Sequence, residues 1–184
     1  MTTTGRDGTA GRDGTAGQDG TAGQAVGDRF RVVPASYVVF LRRDGDRDQV
    51  LLQLRQGTGF MDGHWAAAAA GHVERGESAT QAACREAAEE LDVVVALADL
   101  EPITAMHRTQ GTGDPLDERV DFFFACRRWS GEPRIVERHK SAALEWFDLA
   151  ALPDPVVPHE RLILAALRDR TLCPVTTFGF HRPS

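Results

Sequence analysis

No apolar run in this chain approaches the roughly 20 residues needed to cross a bilayer. The N-terminus also lacks a basic segment followed by an apolar one, so no secretory leader is expected. Cysteine is scarce. Cys84, Cys126 and Cys173 are odd in number and have no paired spacing, which excludes a disulfide framework and a zinc knuckle. Reduced thiols in a cytoplasmic protein are the expectation. Positive charge is short as well: 21 Lys and Arg against 27 Asp and Glu give a formal net charge of -6. That balance argues against a nucleic-acid binder or a reader of anionic membranes. A small polyanionic substrate stays within reach, because bound divalent cations can supply positive charge locally.

The opening of the chain lacks the means to fold. Gly5-Arg6-Asp7-Gly8-Thr9-Ala10 recurs from Gly11 and, with Gln18 for the arginine, from Gly17. None of these units has a large apolar side chain, so none can offset the entropy of ordering. Residues 1–28 are therefore read as a disordered low-complexity tail and residues 29–184 as the single folded domain.

Beyond the tail, the β-rich stretch Ser36–Leu41 and the stretch Gln49–Arg55 flank a polar turn containing Asp44-Gly45, which predicts a hairpin. Gly57–His64 is a loop with three glycines, and the alanines Ala66–Ala70 lead into Gly71. Ser78 with Gln81 three residues on forms a capping-box pattern, predicting a helix that runs to about Leu91. Val93–Val95, Pro102–Met106, Val120–Arg127 and Leu144–Phe147 are strand candidates, and Pro158–Arg168 is a closing helix. Strands in runs with few helices indicate an α+β fold, a mixed sheet with helices packed against it.

Chemistry concentrates between Gly71 and Val93. Glu86, Glu89 and Glu90 lie three and four residues apart, so a helix projects them from one face, within an arc of about 100°. Ala79 and Ala82 beside them leave room for an ion. Carboxylates held so close raise one another's pKa unless a cation sits among them, and hard divalent ions such as Mg²⁺ bind such oxygen clusters. Arg85 can fix Glu89 but cannot neutralise the set. A bare pair of glutamates on a helix is usually a solvated face. The longer pattern weighs against that reading.

Gly71, Glu77 and Arg85-Glu86-Ala87-Ala88-Glu89-Glu90-Leu91-Asp92-Val93 resemble the signature box of the Nudix hydrolase family, MutT-like. Six glycine or charged positions match at fixed spacing, a coincidence expected on the order of once in ten million starting positions. One position departs: the late glycine is Asp92. Aspartate tolerates a left-handed helix end, but its charge opposes the helix dipole, so a modest stability cost is expected. Ala66–Ala70 also stands where many relatives carry Leu-Pro.

The resemblance implies a Nudix-type mixed β-sheet sandwiched between helices. It also implies a Mg²⁺-dependent pyrophosphohydrolase, with Mn²⁺ as a substitute ion. The substrate would be small and nucleotide-like, a nucleoside diphosphate linked to another moiety. Glu86 and Glu90 are the implied metal ligands, and Glu89 is a ligand or the general base. The backbone carbonyl of Gly71 or Ala70 would add a donor. Glu77 and Arg85 would hold the box loop against the helix. Arg128–Pro133, then Glu137, then Glu145-Trp146-Phe147 resemble the family's later strand, loop and strand. Glu137 best matches a loop glutamate that completes the metal site, with Glu118 and Glu145 as weaker alternatives. Phe60, Trp65 and Phe122 are candidates for stacking on a base, although at least one phenylalanine of Phe122–Phe124 belongs to the core. His72 and His107 are read as structural rather than catalytic. Val156 stands where relatives that clear oxidised nucleotides carry a base-reading asparagine, which counts against that substrate. A non-catalytic nucleotide or nucleotide-sugar sensor on the same fold is the alternative. Such sensors typically lose box glutamates, and all four are present. An isoprenoid isomerase would need an acid–base cysteine, and Cys84 is poorly placed for that. Neither a nucleic acid nor a membrane is implied as a partner, and association into a homodimer stays open.

Overall fold

The structure is a computed structural model and describes residues 29–180. The reading of residues 1–28 as a tail falls outside those residues. Eight strands and two helices follow in the order β1 (Val33–Asp44), β2 (Arg47–Arg55), β3 (Trp65–Ala67), β4 (Ala69–His72), α1 (Ala79–Leu91), β5 (Leu100–Arg108), β6 (Arg119–Cys126), β7 (Ser141–Asp148), α2 (Pro158–Asp169) and β8 (Val175–Phe178). Short 3₁₀ turns at Leu97–Asp99 and Pro115–Asp117 precede β5 and β6.

β1 organises the sheet. Its first half, Ala35–Val38, pairs antiparallel with β4, and its second half, Leu41–Asp44, pairs antiparallel with β2. Along Val33–Phe40 it runs parallel to β6. The path is β3-β2-β1-β6-β5-β8, with β7 also on β2. Because β1 changes partners along its length, the strands on that side splay into two layers, and a cleft opens at the fork. This is the mixed α+β architecture expected from the sequence.

Period-two alternation along β1 feeds two separate cores. Val38 and Phe40 point to α1 and pack with Ala83, Ala87 and Leu91. Tyr37, Val39 and Leu41 point the other way, toward Ile163 and Leu164 of α2. Phe40, Leu41 and Phe123 are among the largest fully buried side chains, and truncating one of these would cost about 2–5 kcal/mol.

Sequence and structure differ at four places. The hairpin turn shrinks to Gly45-Asp46, because Arg42–Asp44 and Arg47–Asp48 extend the ladder through exposed charged pairs such as Arg43–Asp48. Gly45 sits at φ +58° at the first position of that two-residue turn, where a side chain would be strained. The alanines form β3 and β4. Alanine has little strand propensity, but Ala66–Ala69 are buried, and pairing with β2 and β1 makes the two short strands. Val93–Val95 is not a strand, since the backbone turns left-handed at Asp92 and only Val94 bridges to Ser130. β8 had no sequence signal beyond four residues at an edge. Among the described residues no helix is long and apolar enough to cross a membrane.

Candidate active site

The box begins with a well-capped helix. The Ser78 hydroxyl accepts the Gln81 N–H at 3.2 Å, and the Gln81 side chain accepts the Ser78 N–H at 2.8 Å. That cap fixes the phase of α1. Ala82, Ala83, Ala87 and Leu91 are its buried residues, so Ala82 is core rather than clearance for an ion. The glutamates face β4 and solvent.

Arg85 joins the box loop to the helix. Its guanidinium forks onto Glu77 at 3.2 and 2.8 Å and donates to the His72 carbonyl at 3.0 Å. A remaining nitrogen, Nη1, is shared by Glu86 at 2.7 Å and Glu89 at 3.0 Å. Glu77 also accepts the Glu74 N–H, closing the loop on itself. These bonds hold the Glu77 carboxyl below its ordinary range, with the Arg85 hydrogen bonds the leading cause. Arg85 therefore reaches three of the four box glutamates, more than the sequence spacing implied.

Gly71 leaves room for the Glu86 carboxylate to sit against the β4 backbone. A Cβ there would lie 2.0 Å from an Oε of Glu86. Glu90 accepts the Ala70 N–H at 2.9 Å. Two glutamates one helical turn apart thus press against the backbone of β4. Burial pushes the Glu90 carboxyl up to about 7, aided by Glu86 and Glu137 and opposed by the Ala70 N–H. Burial likewise raises Glu86, against the pull of Arg85. Glu89 is different, with 58% of its side chain exposed.

Glu137 lies on the segment 130–140, which is tied to the end of α1. The Arg134 and Val136 N–H groups donate to the carbonyls of Leu91 and Glu90, each at 3.0 Å. Asp92 adopts φ 57°, ψ 37°, and its carboxylate takes two Arg134 nitrogens at 2.9 and 2.7 Å. The substituted glycine position therefore carries its own counter-charge. Gly131 adopts φ +95°, where a side chain would be strained, and a Cβ would come 3.1 Å from the Asp92 carbonyl oxygen. Glu137 itself pairs with the Lys140 ammonium at 2.7 Å.

The donors present are hard oxygens on a backbone cradle, which suits a divalent ion. Among the described residues no three potential ligands converge on one point, because Glu86 and Glu89 are bonded to Arg85 and Glu137 to Lys140. A bound ion requires those pairings to loosen, and the chemistry of the set otherwise fits. Glu118 is held by the Thr109 hydroxyl, and Glu145 is exposed on β7.

A cleft of about 740 Å³ leads from Gly71 and Glu90 past Lys140, Arg55 and Phe60 to Tyr37, Arg108, Arg119, His159 and Glu160. Phe60 lies at this cleft, with the Arg55 guanidinium 5.6 Å from its ring centre. The other two aromatic candidates are not among its walls. Trp65 packs edge-on against Phe147, and Phe122 lies on the opposite sheet face beside a separate hollow of about 390 Å³. His72 lines the cleft, whereas His107 contacts Phe180.

The inner end of the cleft is a polar chamber that sequence reasoning missed. Asp121 is fully buried, bonded to Arg108 and 3.6 Å from Arg119. The Tyr37 hydroxyl lies 3.4 Å from His159 Nε2, and its ring stacks on Phe123. Burial, with Arg108 and Arg119 adding to it, drives the His159 imidazole down to about 3, so it is neutral at physiological pH. Glu160 accepts the Ala67 N–H, and burial pushes its carboxyl up to about 7. A signal existed: Asp121 is a charge inside the apolar run Val120–Phe124.

Comparison with known proteins adds relatives to this geometry. The family model for the NUDIX domain matches residues 32–167. A MutT NUDIX hydrolase from Burkholderia pseudomallei superposes with TM-score 0.64 at 27% identity, covering 73% of this chain and 97% of that one. The E. coli ORF135 protein gives 0.58 at 25% identity, covering 76% and 91%. The NUDIX domain of Shewanella oneidensis NrtR, complexed with ADP ribose, gives 0.64 at 18% identity, covering 81% and 94%, a likeness of fold. The comparison with curated proteins gave no match.

Proposed function

The chain belongs to the NUDIX family, and from that premise we propose that it is a Mg²⁺-dependent pyrophosphohydrolase cleaving the diphosphate of a small nucleotide-like substrate. The observation that carries this is the pair Glu86 and Glu90 set against the β4 backbone at the mouth of a cleft large enough for a nucleotide. In this reading Glu86, Glu90 and the Gly71 carbonyl hold the ion, and Glu137 completes the set. A bound divalent ion supplies charge neutralisation of the diphosphate and polarises it toward attack.

The remaining work falls to the chain itself. Glu89 is the most exposed of the three carboxylates that Arg85 pairs with, and once that pairing loosens it takes the proton of the attacking water. Arg85 keeps the box loop and helix in register through Glu77 and the His72 carbonyl. Phe60 offers a ring for one face of a base, and the inner chamber receives the far end of the substrate. Trp65 and Phe122 have no part in this assignment.

The test is a phosphate-release screen over nucleotides, nucleotide-sugars, dinucleotides and isoprenoid diphosphates, with and without Mg²⁺. Cleavage of one class that depends on Mg²⁺ is expected and would name the substrate. Binding in thermal-shift assays without turnover of any compound would replace the hydrolase by a nucleotide sensor.

A further inference from the structure

Five carboxylates, Glu77, Glu86, Glu89, Glu90 and Glu137, surround the box, and two side-chain cations, Arg85 and Lys140, pair with them. The two cations are built differently. Arg85 is locked by bonds to three glutamates and a backbone carbonyl. Lys140 makes one ion pair, with Glu137, and 47% of its side chain is exposed. It lines the cleft beside Glu90 and Gly71, and the charges of Glu90 and Glu86 act on its ammonium.

The backbone beneath Lys140 is fixed while its tip is not. The Lys140 N–H donates to the Glu137 carbonyl at 2.9 Å, and the Lys140 carbonyl accepts the Gln56 N–H at 2.9 Å. The Gln56 side chain also bonds the Arg138 carbonyl at 2.8 Å. Gly57 packs so closely that a Cβ would meet the His139 carbonyl at 2.7 Å. A flexible four-carbon stem thus rises from a rigid base and carries a compact point charge. Exposed ion pairs of this kind contribute little to stability, so exchanging the partner is cheap.

We propose that Lys140 is an internal counter-cation of the acidic cluster that a divalent ion displaces, and that the freed ammonium then binds a phosphate oxygen of the substrate. This rests on the reading of Glu137 as a metal ligand. It explains how one loop serves both events: Glu137 turns to the ion, and Lys140, three residues on, turns to the cleft. It also makes a prediction whose sign separates it from a purely positioning role. A lysine that only held Glu137 in place would, when removed, weaken metal binding. A competing cation would, when removed, strengthen it.

The experiment is a calorimetric Mn²⁺ titration of the full chain without substrate, on wild type, Lys140→Met and Lys140→Arg. It is followed by titration of methylenediphosphonate at saturating Mn²⁺. Lys140→Met should bind Mn²⁺ roughly 3–10-fold more tightly than wild type, and Lys140→Arg should stay near wild type. Methylenediphosphonate should bind Lys140→Met at least about 10-fold more weakly. Mn²⁺ affinity in Lys140→Met that is unchanged or lower overturns the proposal and leaves the hydrolase reading standing. Unchanged diphosphate affinity overturns the phosphate contact. If wild type binds no Mn²⁺ at all, the metal site itself falls. Thermal melts of both variants close to wild type establish that the comparison is made between folded proteins.

Discussion

The cleft has two charged ends, and they are built in opposite ways. At the outer end, Glu77, Arg85, Glu86, Glu89 and Glu90 come from one capped helix and the loop that leads into it, within 14 residues of sequence. At the inner end, Tyr37, Arg108, Arg119, Asp121, His159 and Glu160 come from β1, β5, β6 and α2. The outer set is half in water and its charges are of mostly one sign. The inner set is largely buried and nearly balanced, with Asp121 between two arginines. One end is organised to attract a cation. The other sets its charges against one another and the backbone in the cleft wall, where an unpaired charge would be costly.

Substitutions that treat the two ends alike should therefore give unlike results. The largest effect expected is on turnover at the outer end. Glu90→Gln keeps an acceptor for the Ala70 N–H but loses the charge, and kcat should fall at least about 100-fold. Denaturant unfolding should remain a single transition with an unchanged slope. Turnover equal to wild type would remove Glu90 from the site.

The next effect is on stability, at the inner end. Asp121→Ala leaves Arg108 buried without its partner and should cost about 3–5 kcal/mol. Glu89→Ala, which removes an exposed carboxylate, should cost under about 1 kcal/mol. Similar shifts in the urea midpoints of the two variants would erase the contrast between the ends.

A pH series sharpens the comparison further. Glu160 has its folded pKa raised from 4.5 to about 7. The folded protein therefore holds a proton that the unfolded chain has released between those values, and stability falls as pH rises through that window. Glu160→Gln removes this dependence and can keep the acceptor for the Ala67 N–H. Its advantage over wild type should grow from pH 5 to pH 8 by on the order of 2 kcal/mol. An advantage that is constant with pH would show that Glu160 does not titrate there.

The smallest effect concerns the substituted box position. Asp92 and Arg134 are both exposed, so Arg134→Met should shift stability by less than about 1 kcal/mol. A loss above about 2 kcal/mol, read from the urea midpoint, would mean that this surface pair, rather than the backbone bonds, holds the 130–140 segment on α1.

How much was readable in advance follows the same division. Ser78 and Gln81 announce the start of α1, and 3.6-residue periodicity then places Glu86, Glu89 and Glu90 on one face without reference to the rest of the chain. The α+β class and most strands were legible for the same reason, since alternation and turn residues act locally. β3 and β4 were not, because alanine has weak strand preference and pairing with the distant strands β2 and β1 decides. Lys140 is the one lysine in the sequence, but its place beside the box is not legible until Gln56 and Glu137 are seen to fix the backbone beneath it. Phe122 is the converse case: it was legible as an aromatic on a strand, but pairing set its face.

The sequence by itself determined the family box, its capped helix and the carboxylates that helix presents, because those relations span one or two helical turns. Only the tertiary structure decided that Asp121 meets Arg108 and Arg119, that Glu160 reaches Ala67, and that Gly71 yields its place to Glu86. These are contacts between strands and helices far apart in the chain, fixed by register and by the fork in β1. No local spacing encodes them.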